Sequence, residues 1–420
     1  MLPEPSTFDD ARPPAWVRML NQLGAGLRQS GLPWVDLRES ALLQAAQRQT
    51  GLSDWGNNRF REPLQILLDS LERESNLTLL GRFLQRQYCL RLLTNRLLLQ
   101  RDFQQFPAIA EVPIRRPLFV LGLPRTGSTL LHNLLAQDPA NRWLRLWELT
   151  FPSPPPAPDE PTIPARIAET TRLIRWYTSF APQFAIAHVL NPLGPEECNS
   201  LFEHDFASLL FEVRSHIPSY AAWLEQQAMV PQYRYYRRQL QLLSWRWPGA
   251  RWLLKAPAHL LDLEALLSVF PDACIVQTHR EPLTVVPSMC SLGAIAHSAF
   301  SERVDCTAIG QHWLDRWTRG MEQALTVRQS APAEQFCDVQ YAGLVRDPVG
   351  TVRHIYAAFD LPFPPDLPDK IQHWLAENPR HKHGPHRYSL EQFGLDETQV
   401  KQAFSNYYQQ HGSRFGVAGR

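Results

Sequence analysis

Five consecutive residues, Arg125-Thr126-Gly127-Ser128-Thr129, concentrate the chemistry of this 420-residue chain. They follow an apolar run at 118–121 and the turn Gly122-Leu123-Pro124, and an apolar-periodic segment starts at Leu130. That order predicts strand, loop and helix. The first turn of a helix leaves backbone N–H groups without partners and carries the positive end of the dipole, so the loop suits an anion. Gly122 and Gly127 have the spacing of the triphosphate-binding pattern G-x-x-x-x-G-K-[ST], and Thr129 fills its last position. Its lysine is absent: Ser128 stands there, and the nearest cation is Arg125. A nucleoside-triphosphate enzyme needs that lysine and an acid to hold Mg²⁺. The later apolar runs end instead in Lys255-Ala256-Pro257 and His279-Arg280-Glu281, cations that neutralise an anion directly. After Arg280, Pro282 marks a helix start, and Ser288 lies two helical turns on. Arg280 and Ser288 are thereby placed to share one anion, with a guanidinium fork and a hydroxyl donor.

These residues need a scaffold that brings them to one edge. Short apolar runs at 118–121, 252–254, 274–277 and 337–340 alternate with helical segments such as 260–269 and 347–359. The pattern predicts an α/β fold, a P-loop-type parallel sheet flanked by helices. Ligands of such sheets bind beyond the carboxyl ends of the strands, where the runs deliver Arg125, Lys255, Arg280 and Tyr341. Residues 1–112 read as a helical region, with Leu64, Leu67, Leu68 and Leu71 at helical spacing. The α/β domain is expected over 113–400, with a helical insertion at about 152–245 and a C-terminal tail at 401–420. The proline-rich stretch 152–164 enters the insertion as irregular chain.

Bulk properties narrow the partners. Formal net charge is +1, so neither nucleic acid nor an anionic membrane is indicated as a bulk partner. The 6 cysteines are scattered without a C-x-x-C, which reads as reduced thiols in a cytoplasmic protein. The N-terminus lacks a basic segment followed by an apolar core, and no run of about 18 apolar residues occurs. Neither a secretory signal nor a transmembrane segment is expected.

Together with Arg280 and Ser288, the loop LPRTGSTLL resembles that of the sulfotransferases that use 3'-phosphoadenosine 5'-phosphosulfate (PAPS). It is most similar to the bacterial branch and to the tyrosylprotein and carbohydrate enzymes, which carry P-R-[ST]-G-[ST]-T rather than P-K-S-G-T-T. The segment LLKAPAHLLDLEALLSVFPDACIVQTHREP, WEL at 147–149, GPEEC at 194–198 and RYSLEQFGL at 387–395 resemble the bacterial branch as well. The resemblance spans roughly residues 116–395. It implies that Arg125, Thr126, Gly127, Ser128 and Thr129 hold the 5'-phosphosulfate and that Arg280 and Ser288 hold the 3'-phosphate. It also implies that Lys255 stabilises the leaving group, that Tyr341 lies near the adenine, and that adenosine 3',5'-bisphosphate is released.

Sulfuryl transfer further requires a base for the acceptor proton. Glu148 is the first candidate, at the end of an expected second strand over 142–147 and at a comparable distance from the loop to the glutamate of the tyrosylprotein enzymes. A structural carboxylate paired with Arg125 or Arg145 is the competing expectation. His188, Glu196, Glu197 and His204 are further candidates, and both glutamates of GPEEC equally suit a helix N-terminus. Near the C-terminus, His381-Lys382-His383 with His386-Arg387 lacks a second ligand cluster, so no metal is expected there. A basic loop in which Lys382 and Arg387 close over the cofactor phosphates is expected instead. Aromatics between 165 and 245 favour a small-molecule, lipid or natural-product acceptor over a polysaccharide. A small-molecule kinase and a nucleotide-binding scaffold without turnover remain as alternatives.

Overall fold

The computed structural model describes residues 16–19, 21, 22, 24, 35–182, 190–379 and 388–415. Among the helices ahead of the sheet are α1 (Glu39–Thr50), α2 (Arg61–Arg73) and α3 (Leu79–Gln105). Leu64, Leu67, Leu68 and Leu71 bury one face of α2, as their spacing predicts. Thr78 caps α3, its hydroxyl accepting the Gly81 N–H at 2.8 Å. Polar side chains of α3 then fasten it to the insertion. Arg96 pairs with Asp205 at 2.9 Å, and the Gln85 amide donates to Ser215 at 3.0 Å. The N-terminal helices therefore share one continuous apolar core with the inserted region.

The sheet comprises β1 (Leu118–Gly122), β2 (Asn141–Arg142), β3 (Arg251–Lys255), β4 (Cys274–His279) and β5 (Phe336–Gln340). All neighbours are parallel, in the order β2-β3-β1-β4-β5. The four apolar runs are β1, β3, β4 and β5. Along β1, Leu118 and Val120 pack with Leu131, Leu134 and Leu135 of α4 (Ser128–Leu135), while Phe119 and Leu121 face the larger core on the other side. Register then gathers the strand ends: Val120 lies opposite Lys255, Gly122 opposite Thr278, and His279 opposite Gln340.

Two elements differ from the sequence reading. The expected second strand stops after two residues, and Glu148 lies in a short helix, α5 (Leu146–Thr150), whose first turn is closed by side-chain hydrogen bonds. The proline-rich stretch ends inside α6 (Ile163–Phe180), because Pro164 falls in the first turn, where a missing N–H costs nothing. Within the expected tail, Ser405–His411 is helical, as is Glu397–Ala403 where it begins, and Tyr407 is buried against the end of β4.

The insertion continues through a 3₁₀ segment (Cys198–Asp205) to α7 (Val230–Trp245). Phe202, Phe206, Phe211 and Tyr220 are buried in the core, so they report packing rather than an acceptor pocket. Beyond β4 come α8 (Pro282–Ser298) and α9 (Cys306–Ser330), and beyond β5 comes α10 (Tyr341–Arg346). Among the described residues, no helix is long and apolar enough to cross a membrane.

Candidate active site

Local conformation shapes the loop between β1 and α4. Gly122 has φ 137°, and a Cβ there would meet the Thr278 carbonyl oxygen at 2.4 Å, so β1 and β4 approach as closely as they do only around glycine. Gly127 has φ 87° and would press a Cβ onto the Tyr341 ring at 2.8 Å. Arg125 is left-handed with φ 66°, which costs a non-glycine residue about 1 kcal/mol. This turn leaves the Arg125 carbonyl where Arg280 Nη1 donates to it at 2.9 Å. Helix geometry leaves the first N–H groups of α4 without intrahelical partners, and Leu131 is the first to bond back, to Gly127 O at 3.0 Å.

The structure brings most of the expected donor-site residues together. Arg125 Nε donates to Ser288 Oγ at 3.2 Å, from β1's loop to the second turn of α8. The Arg280 guanidinium lies over the Tyr341 ring, 4.1 Å from its centroid. Tyr341 therefore carries Arg280 on one face and packs against Gly127. Thr126 differs from expectation. Its buried hydroxyl donates to Leu123 O at 2.7 Å and meets Thr278 Oγ1 at 2.6 Å, so it ties the loop to β4 and has only its backbone to offer a ligand. Lys382 and Arg387 lie outside the described residues.

Support for Arg280 comes from residues that the sequence reading passed over. On one side of it, His279 bonds Asp338 at 2.8 Å and the Tyr407 hydroxyl at 3.0 Å. Burial raises the Asp338 pKa, but hydrogen bonds from His279 and Arg328 outweigh it and hold the carboxyl well below the usual range. On the other side, the Tyr408 hydroxyl donates to Glu281. Tyrosines at 407 and 408 gave no signal in sequence because they meet β4 only through the tertiary fold.

The second half of the site surrounds Lys255. Its ammonium, only 2% exposed, donates to Glu197 Oε1 at 2.6 Å and to Thr129 Oγ1 at 3.3 Å. The strand-end lysine thus joins the first turn of α4 to GPEEC. Glu197 keeps 24% of its side chain exposed, and its Oε2 accepts no hydrogen bond from the described residues. Glu196 is turned differently, its Oε1 accepting the Glu197 N–H at 2.8 Å.

Glu148, the first candidate base, is elsewhere engaged. It is 0% exposed, and Arg142 Nη1 and Nη2 grip both carboxylate oxygens. Arg145 adds its backbone N–H at 2.8 Å and its guanidinium at 3.4 Å. The two arginines stack on Trp143, Trp247 and Trp252, closing the corner. The competing expectation, a structural carboxylate, describes Glu148, with Arg142 as its main partner. A cavity of about 360 Å³ opens beside this corner, lined by Gln137, Arg142, Trp143, Arg145, Trp247 and Lys370. It lies past the far end of α4 from the loop, and its cations already meet Glu148 and Asp366.

The remaining candidate bases separate cleanly. His204 is buried, with both ring nitrogens taken by Gln239 and Asn95, and burial pushes its pKa down to about 4. His188 lies outside the described residues. Among the described residues, no three His, Cys, Asp or Glu side chains converge as a metal site.

A sheet ending in cations around an N–H-lined loop, with an acid facing the lysine, suits transfer of an anionic group. The family model described as "Sulfotransferase family" matches residues 117–365. The chain belongs to the sulfotransferase family. It is similar to the crystal structure of sulfotransferase STF1 from Mycobacterium tuberculosis, with 35% identity, a TM-score of 0.76, and coverage of 88% of this chain and 98% of that one. Sulfotransferase STF9 from Mycobacterium avium superposes with a TM-score of 0.82 at 29% identity, over 89% of this chain and 97% of that one. A curated relative, the omega-hydroxy-beta-dihydromenaquinone-9 sulfotransferase Stf3 of Mycobacterium bovis, is 22% identical over 341 residues, 72% of this chain and 78% of its own. This sulfotransferase has the α/β fold of its relatives, with the family match beginning at the residue before β1.

Proposed function

We propose that this sulfotransferase takes its sulfuryl group from PAPS and passes it to a hydroxyl of an apolar small-molecule or lipid acceptor, with Glu197 as the base. One observation carries the reading: Lys255 bridges Thr129, at the start of α4, and Glu197, so leaving-group cation and base face one point. The N–H groups of Gly127, Ser128 and Thr129, with Arg125, surround the phosphosulfate. Arg280 and Ser288 take the 3'-phosphate. As the bond from sulfur to the phosphate oxygen breaks, negative charge grows on that oxygen, and Lys255 and Arg125 neutralise it where it develops. The acceptor oxygen bonds to sulfur from the opposite side, and its proton passes to the Glu197 carboxylate. The products are a sulfate ester and adenosine 3',5'-bisphosphate.

The acceptor class rests on the named substrate of the Stf3 relative, an omega-hydroxylated dihydromenaquinone. A cytoplasmic location is supported by the described cysteines, which form no disulfide. Calorimetry with adenosine 3',5'-bisphosphate tests the donor assignment. Arg280→Ala removes charge-assisted hydrogen bonds and weakens binding roughly 10- to 100-fold. Equal affinity of wild type and variant would sink it.

A further inference from the structure

Glu197 is the middle residue of a segment held at both neighbours. On one side, the Glu196 N–H donates to Leu144 O at 2.9 Å, and Pro195 bridges Arg145. On the other side, Cys198 Sγ meets His259 Nε2 at 3.1 Å, and the Tyr233 hydroxyl meets His259 Nδ1 at 2.8 Å. Glu197 is extended, with φ −67° and ψ 129°, so successive side chains point to opposite sides. Cys198 turns into the core and Glu197 toward Lys255.

The same two stretches of chain meet twice. Glu197 contacts Lys255, and one residue on, Cys198 contacts His259, four residues beyond the lysine. We infer that the buried rung formed by Tyr233, His259 and Cys198 is a positioning device that fixes the aim of Glu197 at Lys255. It rests on the reading of Glu197 as the base.

Chemistry and packing suit this rung to holding a fixed geometry. His259 is 1% exposed, and burial pushes its pKa down to about 3, so the ring is neutral at working pH with one N–H and one lone pair. Burial also pushes the Cys198 thiol up to about 12 and the Tyr233 phenol well above its usual value. Both partners are neutral, and each ring nitrogen has one of them. Phe119 meets the ring edge-on at 5.0 Å, and Phe202 and Tyr236 crowd it at 6.1 and 5.9 Å. A ring so enclosed cannot rotate without breaking both bonds. Cys198, Tyr233 and His259 are all buried, so they act through Glu197 as positioning residues.

PAPS turnover, with a hydroxylated dihydromenaquinone as acceptor and with water alone, is compared across variants, and crystal structures locate the Glu197 carboxylate. Cys198→Ala should lower kcat roughly 10- to 100-fold, the scale of losing near-attack geometry. Affinity for adenosine 3',5'-bisphosphate should stay at the wild-type value, and the Glu197 carboxylate should move off Lys255. Cys198→Ser, which can still bond His259, should restore most of the turnover. Tyr233→Phe removes one hydroxyl with little change of volume and should give a smaller loss of the same kind. Adding Cys198→Ala to Glu197→Gln should cost nothing further, because the device acts only through that carboxylate. Wild-type kcat in Cys198→Ala beside an inactive Glu197→Gln overturns the positioning role and leaves the base standing. Wild-type turnover in Glu197→Gln overturns both.

Discussion

Glu148 and Glu197 are the same functional group at two ends of one short ladder, which joins residues 144–147 to 192–196. At the Glu148 end, two arginines and a backbone N–H meet a carboxylate with no exposed surface. At the Glu197 end, one lysine holds one oxygen, and the side chain stays 24% exposed. A carboxylate surrounded by guanidinium donors stabilises structure, because moving it would strand buried cations. A carboxylate with an uncommitted oxygen beside the reacting charge can accept a proton. Distance from the loop in sequence suggested the first; unused hydrogen-bonding capacity selects the second.

The pair of substitutions Glu197→Gln and Glu148→Gln breaks this contrast most sharply. Glu197→Gln should lower kcat by about 10²- to 10⁴-fold, the usual contribution of a positioned base, and should also lower resistance to urea, because the buried Lys255 loses its carboxylate partner. Glu148→Gln should leave turnover per folded molecule near wild type and lower unfolding free energy by about 3–5 kcal/mol, because Arg142 then stays buried without its counter-charge. A stable but inactive Glu148→Gln protein would return the base to that position.

Acid sharpens the same distinction between enclosed and open groups. Burial depresses the imidazoles of His132, His204, His259 and His297 from 6.5 to about 3, 4, 3 and 4. Between those values and 6.5 the unfolded chain binds more protons than the folded one, so stability rises with pH across that window. Tm should therefore fall as pH drops from about 6.5 toward 4 and level off above it. A flat Tm over this range would show that these rings titrate alike in the folded and unfolded chain. The smallest effect belongs to the loop: Thr126→Val should cost about 1 kcal/mol, the scale of one hydrogen bond, and leave turnover intact.

The sheet was legible because β1, β3, β4 and β5 are short apolar runs whose polar ends announce themselves. The meeting of Arg125, Arg280 and Ser288 followed, since they lie at fixed offsets from strand ends and helix starts. The proposed base was harder. Glu197 stands 58 residues before Lys255, in an insertion whose path is set by packing against α3 and α7, and no local spacing encodes that meeting. Thr126 misled for a related reason: a hydroxyl in an anion loop can turn inward or outward, and the close approach of Thr278 decides. The packing of the expected tail was silent in sequence because Tyr407 and Tyr408 have their partners, His279 and Glu281, more than a hundred residues upstream.

Those two tyrosines set an order of events. Synthesis runs from the N-terminus, and β1, β3, β4 and β5 are complete once residue 340 has emerged. Arg280 is by then in place, but the braces on His279 and Glu281 arrive only with residues 407 and 408. On the proposed donor assignment, nucleotide capture therefore waits until residues 407 and 408 have been made, well after the sheet itself is complete. A C-terminal truncation before Ser405 would remove both braces and, on the proposed donor assignment, loosen the grip on the nucleotide.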